Sequence, residues 1–87
     1  MLTERENILI ECLVKDYISK GNAISSDRLL EKTGLKYSTA TIRKDLIKLE
    51  TLGLVESTHV SSGRVPTVKG YRYYIDNNLK RKPLSKS

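Results

Sequence analysis

Three glycines divide the first 53 residues into segments that each carry apolar side chains at helical spacing. Gly21, Gly34 and Gly53 stand where each pattern ends, and glycine readily takes the left-handed conformation in which helices terminate. Every segment also begins with a hydroxyl residue suited to an N-cap: Thr3, the pair Ser25 and Ser26, and Ser38. The pattern predicts three short helices packed around one core.

The third predicted helix has an apolar face and a cationic face. Ile42, Leu46 and Leu49 follow the i, i+4, i+7 spacing of a buried stripe. At about 100° per residue, the opposite side carries Ala40, Arg43, Lys44 and Ile47. Asp45 falls at the edge of the buried stripe, where we expect it to pair with a base from a neighbouring helix.

The chain changes period after Gly53, so that residues 54–66 are predicted to form a β-hairpin, or wing. Residues 54–58 are rich in β-forming side chains, and Ser61, Ser62 and Gly63 make a turn signal. Residues 64–66 contain a proline and are predicted to return as an edge strand.

A last helix is expected to begin after Thr67, which suits an N-cap. Its predicted buried stripe consists of Val68, Tyr71, Tyr74 and Ile75. We expect the ordered domain to span residues 1–79 and residues 80–87 to form a basic flexible tail. The predicted fold is mainly α with a small β-hairpin, a winged helix-turn-helix with a three-helix core, a wing and a C-terminal helix.

Positive charge is concentrated in the second half of the chain. The net charge is +6; residues 1–35 hold five bases and six acids, whereas residues 36–87 hold eleven bases and four acids. Such an excess favours an anionic partner. Because an α-helix fits the major groove of DNA and its first residues approach the base edges, we predict that the third helix binds duplex DNA.

The candidate DNA-binding residues lie on the third helix, the wing and the start of the last helix. Arg43 is suited to bidentate bonds with a guanine, and Lys44 to a base or a phosphate. Arg64 is expected to enter a minor groove. Lys69, Arg72 and Tyr73 are expected to contact the DNA backbone. The set comprises Tyr37, Ser38, Thr39, Ala40, Thr41, Arg43, Lys44, Ser61, Ser62, Gly63, Arg64, Lys69, Arg72 and Tyr73.

Other classes of function receive little support from the residues. One cysteine, Cys12, allows neither an internal disulfide nor a cysteine-based zinc site, and it is expected to be a small core residue. His59 has no second ligand nearby, so we expect neither a metal nor a cofactor. No nucleophile elbow or phosphate-binding loop accompanies the serines, and an enzyme is not expected. The remaining alternative is a winged helix that docks on a protein instead of DNA.

The chain shows no apolar run long enough for a membrane-spanning helix and no signal peptide. We therefore expect a cytoplasmic protein with no membrane partner.

Residues 61–76 resemble the wing and following helix of the heat-inducible repressor family HrcA. In that family a Gly-Arg turn runs into Pro-Thr and then Gly-Tyr-Arg, which stand here as Gly63-Arg64, Pro66-Thr67 and Gly70-Tyr71-Arg72. Residues 38–45 and 49–54 are similar to the family's recognition helix, and residues 2–5 to its N-terminus. The resemblance implies a repressor that binds an inverted-repeat operator upstream of chaperone genes, is released on heat stress and needs the chaperonin GroEL to stay active.

Proteins of this family continue into a larger, dimerising domain. The 87 residues are therefore expected to be either an excised DNA-binding domain or a short stand-alone relative. They show no heptad seam, and the stripes of the first, third and last helices are all assigned to one core. We expect the chain alone to be a monomer and the family parent a homodimer.

Overall fold

Four helices and a two-stranded hairpin make up the parts of the chain described by this computed structural model, residues 2–58 and 63–81, with only the backbone described for 79–81. The predicted turn residues Ser61 and Ser62, His59 and the tail from residue 82 lie outside the described residues. In chain order the elements are α1 (Glu4–Lys20), α2 (Ser26–Thr33), α3 (Thr39–Thr51), β1 (Val55–Ser57), β2 (Arg64–Pro66) and α4 (Val68–Arg81). The predicted winged helix-turn-helix architecture is confirmed.

The first three helices begin and end at the predicted signals. Thr3 and Glu6 form a reciprocal capping box, in which the Glu6 N–H donates to the Thr3 hydroxyl at 3.1 Å and the Thr3 N–H to the Glu6 carboxylate at 2.9 Å. Ser25 and Ser38 cap α2 and α3. At the other end of α1, Gly21 has a left-handed φ of +73°. Local hydrogen bonding thus sets the helix boundaries.

The core is built from aliphatic side chains of the first three helices, of the connection between α1 and α2, and of the chain that follows α3 into β1. The fully or nearly buried side chains are Leu9, Ile10, Leu13, Val14, Ile24, Leu29, Ile42, Leu46, Leu49, Leu54 and Val55. Burying one such aliphatic side chain contributes about 1.5–3 kcal/mol to folding. The predicted stripe of α3 is confirmed, and with the buried side chains of α1 it supplies most of the driving force for the fold.

Only part of the apolar stripe predicted for α4 is buried. Three tyrosines of the helix pack against the core: Tyr71, Tyr73 and Tyr74. Val68 and Ile75, however, are 74% and 52% exposed, and the prediction that they are buried was wrong. They lie seven residues apart on one face, and α4 presents its tyrosine-bearing side to α1. The expectation of a monomer had assigned every apolar side chain of α4 to the core, and these two side chains do not belong to it. In addition, α4 extends two residues past the expected limit at 79.

The wing is joined to the body of the domain by an additional bridge. β1 and β2 pair antiparallel, with Val55 opposite Pro66 and Ser57 opposite Arg64. The other edge of β2 pairs with Ile24, whose N–H donates to the Arg64 carbonyl at 3.1 Å and whose carbonyl accepts the Arg64 N–H at 2.9 Å. The predicted edge strand is thus paired on both sides at Arg64, which ties the wing to the connection between α1 and α2.

The start of α4 lies against the chain that leaves α3. The hydroxyl of Thr67 accepts the N–H of Gly70 at 3.0 Å and donates to the carbonyl of Gly53 at 2.6 Å, so Thr67 caps α4 as predicted. A Cβ added to Gly70 would lie 2.1 Å from the carbonyl oxygen of Leu54. Glycine at position 70 is therefore required by this close approach.

We expect Gly70→Ala to destabilise the protein by roughly 1–3 kcal/mol, because the added methyl group overpacks the contact with Leu54. Helix propensity alone would favour alanine by about 1 kcal/mol, so the sign of the effect is diagnostic. The free energy of unfolding in urea measures it. As the control, Val68→Ala on the exposed side of α4 should change stability by less than about 0.5 kcal/mol. A Gly70→Ala protein as stable as the parent would contradict the close approach.

Candidate nucleic-acid interface

The polar side chains of α3 are divided between its two sides. Exposed residues occupy the side predicted to be cationic: Ala40, Arg43, Lys44 and Ile47. Asp45 lies on the other side and is buried. Within residues 2–58 and 63–81, neither Arg43 nor Lys44 forms an ion pair with an acid. The exposed side of α3 is therefore positively charged and open to an anionic partner.

Asp45 pairs with an arginine from the first helix. The Nε of Arg5 donates to Oδ2 of Asp45 at 2.5 Å and Nη2 donates to Oδ1 at 3.1 Å, a bidentate geometry. The hydrogen bond to this carboxylate is the main reason that the pKa of Arg5 is raised above its usual range. The base predicted to pair with Asp45 is thus identified, at a separation of 40 residues.

A second charge pair joins the same two helices. The Nζ of Lys48 in α3 lies 3.0 Å from Oε2 of Glu6, whose side chain is buried. Burial alone would raise the pKa of Glu6, but the backbone N–H of Thr3 and the ammonium of Lys48 outweigh it and lower the pKa from its ordinary 4.5. This pair joins residues distant in sequence and was not predicted.

A third pair joins α3 to the wing. The Nε of Arg64 donates to Oε1 of Glu50 at 3.1 Å, and the Ser57 hydroxyl donates to Oε2 of the same carboxylate at 3.0 Å. The Arg64 side chain, predicted to enter a minor groove, is only 14% exposed. In this position it is better suited to holding the wing against α3 than to reaching DNA.

The hydroxyl groups at the start of α3 hold local structure. Ser38 accepts the N–H of Thr41 at 3.2 Å and lies 3.1 Å from the Thr41 hydroxyl. Thr39 donates to Oδ1 of Asp27 at 3.0 Å, which joins the first turns of α2 and α3. All three hydroxyls were predicted as DNA contacts, and the structure brings them together at one end of the exposed cationic side.

Tyr37 precedes α3 and lies beside this cluster. Its side chain is 47% exposed. The guanidinium carbon of Arg5 lies 4.6 Å from the centre of the tyrosine ring, a distance typical of a cation–π contact. One arginine of α1 therefore contacts both Tyr37 and Asp45.

The remaining predicted residues are distributed over the other end of α3 and its neighbours. The Nζ of Lys69 donates to the carbonyl of Leu52 at 3.0 Å, roughly 20 Å along α3 from Ser38 at about 1.5 Å per residue. The Tyr73 hydroxyl donates to Oδ1 of Asn7 at 2.7 Å and joins α4 to α1.

The last two described candidates differ in exposure. Arg72 is exposed, whereas Gly63 is buried against Ala23. The set of candidates therefore does not form a single contiguous patch.

A groove of about 490 Å³ between α1 and α2 is the other notable surface feature. Its walls include Cys12, whose half-buried position raises the pKa of the thiol, and Asp16, whose carboxylate lies 3.1 Å from Nζ of Lys32. Among the described residues, no cluster of three or more His, Cys, Asp or Glu side chains is placed to hold a metal. None of the helices in that part of the chain is long and apolar enough to cross a membrane.

The short helix α2, the helix α3 with its cationic outer side and the following hairpin together define the winged helix-turn-helix class. The DeoR-like helix-turn-helix domain matches residues 5–64, and the chain belongs to that family. This family is defined by its helix-turn-helix and not by a catalytic activity.

Two longer proteins are similar to this chain over its whole length. The heat-inducible transcription repressor HrcA of Pediococcus pentosaceus is 47% identical over 87 residues, which make up 25% of that protein. A crystal structure of a hypothetical protein is 39% identical with a TM-score of 0.91, and the matched region covers 27% of its chain. The predicted HrcA resemblance is confirmed, and the chain spans about a quarter of the length of these relatives.

Acid is expected to destabilise the protein through Glu6. Its pKa is lowered in the folded state, so its contribution is fully present above the unfolded value near 4.5 and is lost as the pH falls through the folded value. At pH 7, Glu6→Gln should be less stable by on the order of 1 kcal/mol, and the difference should shrink on acidification. Thermal melts between about pH 3 and pH 7 measure both.

The control for this experiment is Glu31→Gln, which removes an exposed carboxylate on α2. It should melt close to the parent across the range. A Glu6→Gln difference that stays constant with pH would show that the charge of Glu6 is not what Thr3 and Lys48 stabilise.

Proposed function

We propose that this domain binds duplex DNA through the exposed side of α3 and serves as the DNA-binding part of a transcriptional repressor. The observation that carries the proposal is the separation of charge on α3. Both of its acids, Asp45 and Glu50, are paired with arginines from other elements. Arg43 and Lys44 are exposed on the side away from Asp45, and among the described residues neither forms an ion pair with an acid.

The dimensions of α3 suit the major groove. A helix with its side chains is about 10–12 Å across, close to the roughly 12 Å width of that groove. Arg43 is placed to bond the O6 and N7 atoms of a guanine, and Ala40 is small enough to allow close approach. Lys44 lies beside Arg43 and can reach a base or a phosphate. Tyr37 and the hydroxyl groups of Ser38, Thr39 and Thr41 would lie at the N-terminal end of the helix, nearest the base edges.

Contacts to the DNA backbone would come from the wing and α4. Lys69 and Arg72 follow the wing on α4, and both are exposed. The Lys69 ammonium has three donors, so it can bond the Leu52 carbonyl and a phosphate together. Gly63 is buried against Ala23, so an approach of the wing to a phosphate would fall to Ser61 and Ser62, which stay predictions. We assign Arg64 and Tyr73 to positioning the wing and α4, because their polar groups bond Glu50 and Asn7.

The HrcA relationship supports extending the proposal to heat-shock regulation. On that basis the site would be an inverted-repeat operator upstream of chaperone genes, bound by a homodimeric full-length protein with GroEL as a partner. The 87 residues alone are proposed to be monomeric. Two domains at fixed spacing would bind such an operator more tightly than one, because the second binds at a raised effective concentration.

The affinity for duplex DNA is expected to fall steeply with salt, because each neutralised phosphate contributes a slope of about −0.9 in log K against log salt. Fluorescence anisotropy with a labelled random-sequence duplex, between about 50 and 200 mM salt, measures this slope. The double variant Arg43→Ala with Lys44→Ala should bind more weakly at every salt concentration. Binding that is insensitive to salt would contradict the proposal and favour docking on a protein.

Arg43→Ala should lose roughly 1–3 kcal/mol on a duplex selected by the unaltered protein from a random library, with little loss on a shuffled duplex. The reason is that a base-reading arginine acts only where its guanine is present. Lys69→Ala is the matched comparison and should weaken binding to both duplexes. Equal losses for Arg43→Ala on the two duplexes would make Arg43 a phosphate contact and transfer base reading to other residues of α3.

A further inference from the structure

Arg5 joins three parts of the molecule that meet behind the exposed cationic side of α3. It lies in the first turn of α1. Its guanidinium bonds both carboxylate oxygens of Asp45, in the middle of α3, and lies over the ring of Tyr37, which precedes α3. One guanidinium therefore makes a bidentate ion pair and a cation–π contact together.

We propose that Arg5 is a positioning residue for DNA recognition, which sets the rotation of α3 and the placement of Tyr37 and thereby the discrimination between DNA sequences. The inference rests on the DNA-binding function proposed above. It assigns to α1, which carries none of the predicted base contacts, a part in sequence reading.

The position of Asp45 in α3 explains how its contact with Arg5 can set the placement of Arg43 and Lys44. Asp45 directly follows Lys44 and is two residues from Arg43, so a rotation of α3 about its axis at this point moves all three side chains together. The apolar stripe of Ile42, Leu46 and Leu49 holds α3 against the core, but apolar packing is not directional. A bidentate arginine–carboxylate pair has fixed planar geometry and does define an orientation.

The chemistry of both contacts requires arginine. Lysine carries a compact ammonium, which cannot bond both carboxylate oxygens of Asp45 in the bidentate geometry and also lie over the Tyr37 ring. The Arg5 side chain is 32% exposed, so solvent screens the pair and its net contribution to stability is small. We therefore assign to the pair the role of fixing the rotation of α3 about its axis.

The proposal and simple electrostatics predict opposite results for one substitution. Asp45→Asn removes a negative charge from the helix that is proposed to bind DNA. From charge alone, the variant should therefore bind all DNA more tightly. If Asp45 and Arg5 position α3, the same variant should lose discrimination. Arg5→Lys supplies an independent test, because it keeps the net charge and changes only the geometry.

The experiment measures dissociation constants for a duplex selected by the unaltered protein from a random library and for a shuffled duplex, with circular dichroism and thermal melts to verify folding. Discrimination is the dissociation constant for the shuffled duplex divided by that for the selected duplex. We expect Asp45→Asn and Arg5→Lys each to reduce this ratio by about tenfold, while the affinity for the shuffled duplex is unchanged or rises slightly. Glu31→Gln on α2 is the charge-matched control for Asp45→Asn and should keep the ratio.

Retained discrimination in both variants overturns the inference, as does tighter binding of Asp45→Asn to the selected duplex, which would mean that the released Arg5 contacts phosphate. If Asp45→Asn does not fold, the result for Arg5→Lys decides alone. Failure of the unaltered protein to bind any duplex would instead overturn the proposed function, and this inference with it.

Discussion

The orientation of α3 depends on ion pairs between its side chains and the elements around it. Arg5 and Glu6 of α1 pair with Asp45 and Lys48, and Arg64 of the wing pairs with Glu50. These contacts use every acid of α3. The pairs that attach the helix to the domain therefore neutralise both of its acids, so that the packing of α3 and the net positive charge of its exposed surface have one origin.

Apolar packing and charge pairing have different roles in this arrangement. The aliphatic stripe of α3 brings the helix to the core, whereas the directional pairs define its rotation. The end of α3 is held separately, where Thr67 and Lys69 bond the carbonyls of Gly53 and Leu52. Because β2 also pairs with Ile24, the wing is fixed in addition to the connection between α1 and α2. A rigid frame of this kind suits a surface that must match a groove.

Local features of the fold could be predicted from the sequence, because their causes act over a few residues. The Thr3 capping box, the left-handed Gly21 and the stripe of Ile42, Leu46 and Leu49 all depend on spacing within one helix. The partner of Asp45 could not be identified, because Arg5 lies 40 residues away and nothing in local spacing indicates it.

The same limit applies to α4 and to part of the candidate site. The spacing of Val68 and Ile75 is helical, but which side of α4 faces α1 is decided by the packing of its tyrosines. The candidate cations Arg43 and Lys44 followed from helical spacing. The ion pair of Arg64 and the hydrogen bond of Tyr73 to Asn7 did not, because each joins elements distant in sequence.

The most direct test of DNA recognition by α3 is an NMR titration, in which a duplex selected from a random library is added to the isotopically labelled domain and the chemical shifts are monitored. We expect the largest shift changes at residues 37–44 and smaller ones at Lys69 and Arg72. Residues that line the groove between α1 and α2, such as Cys12 and Lys15, should change little. Changes concentrated in that groove or around Val68 and Ile75, with residues 37–44 unaffected, would contradict it.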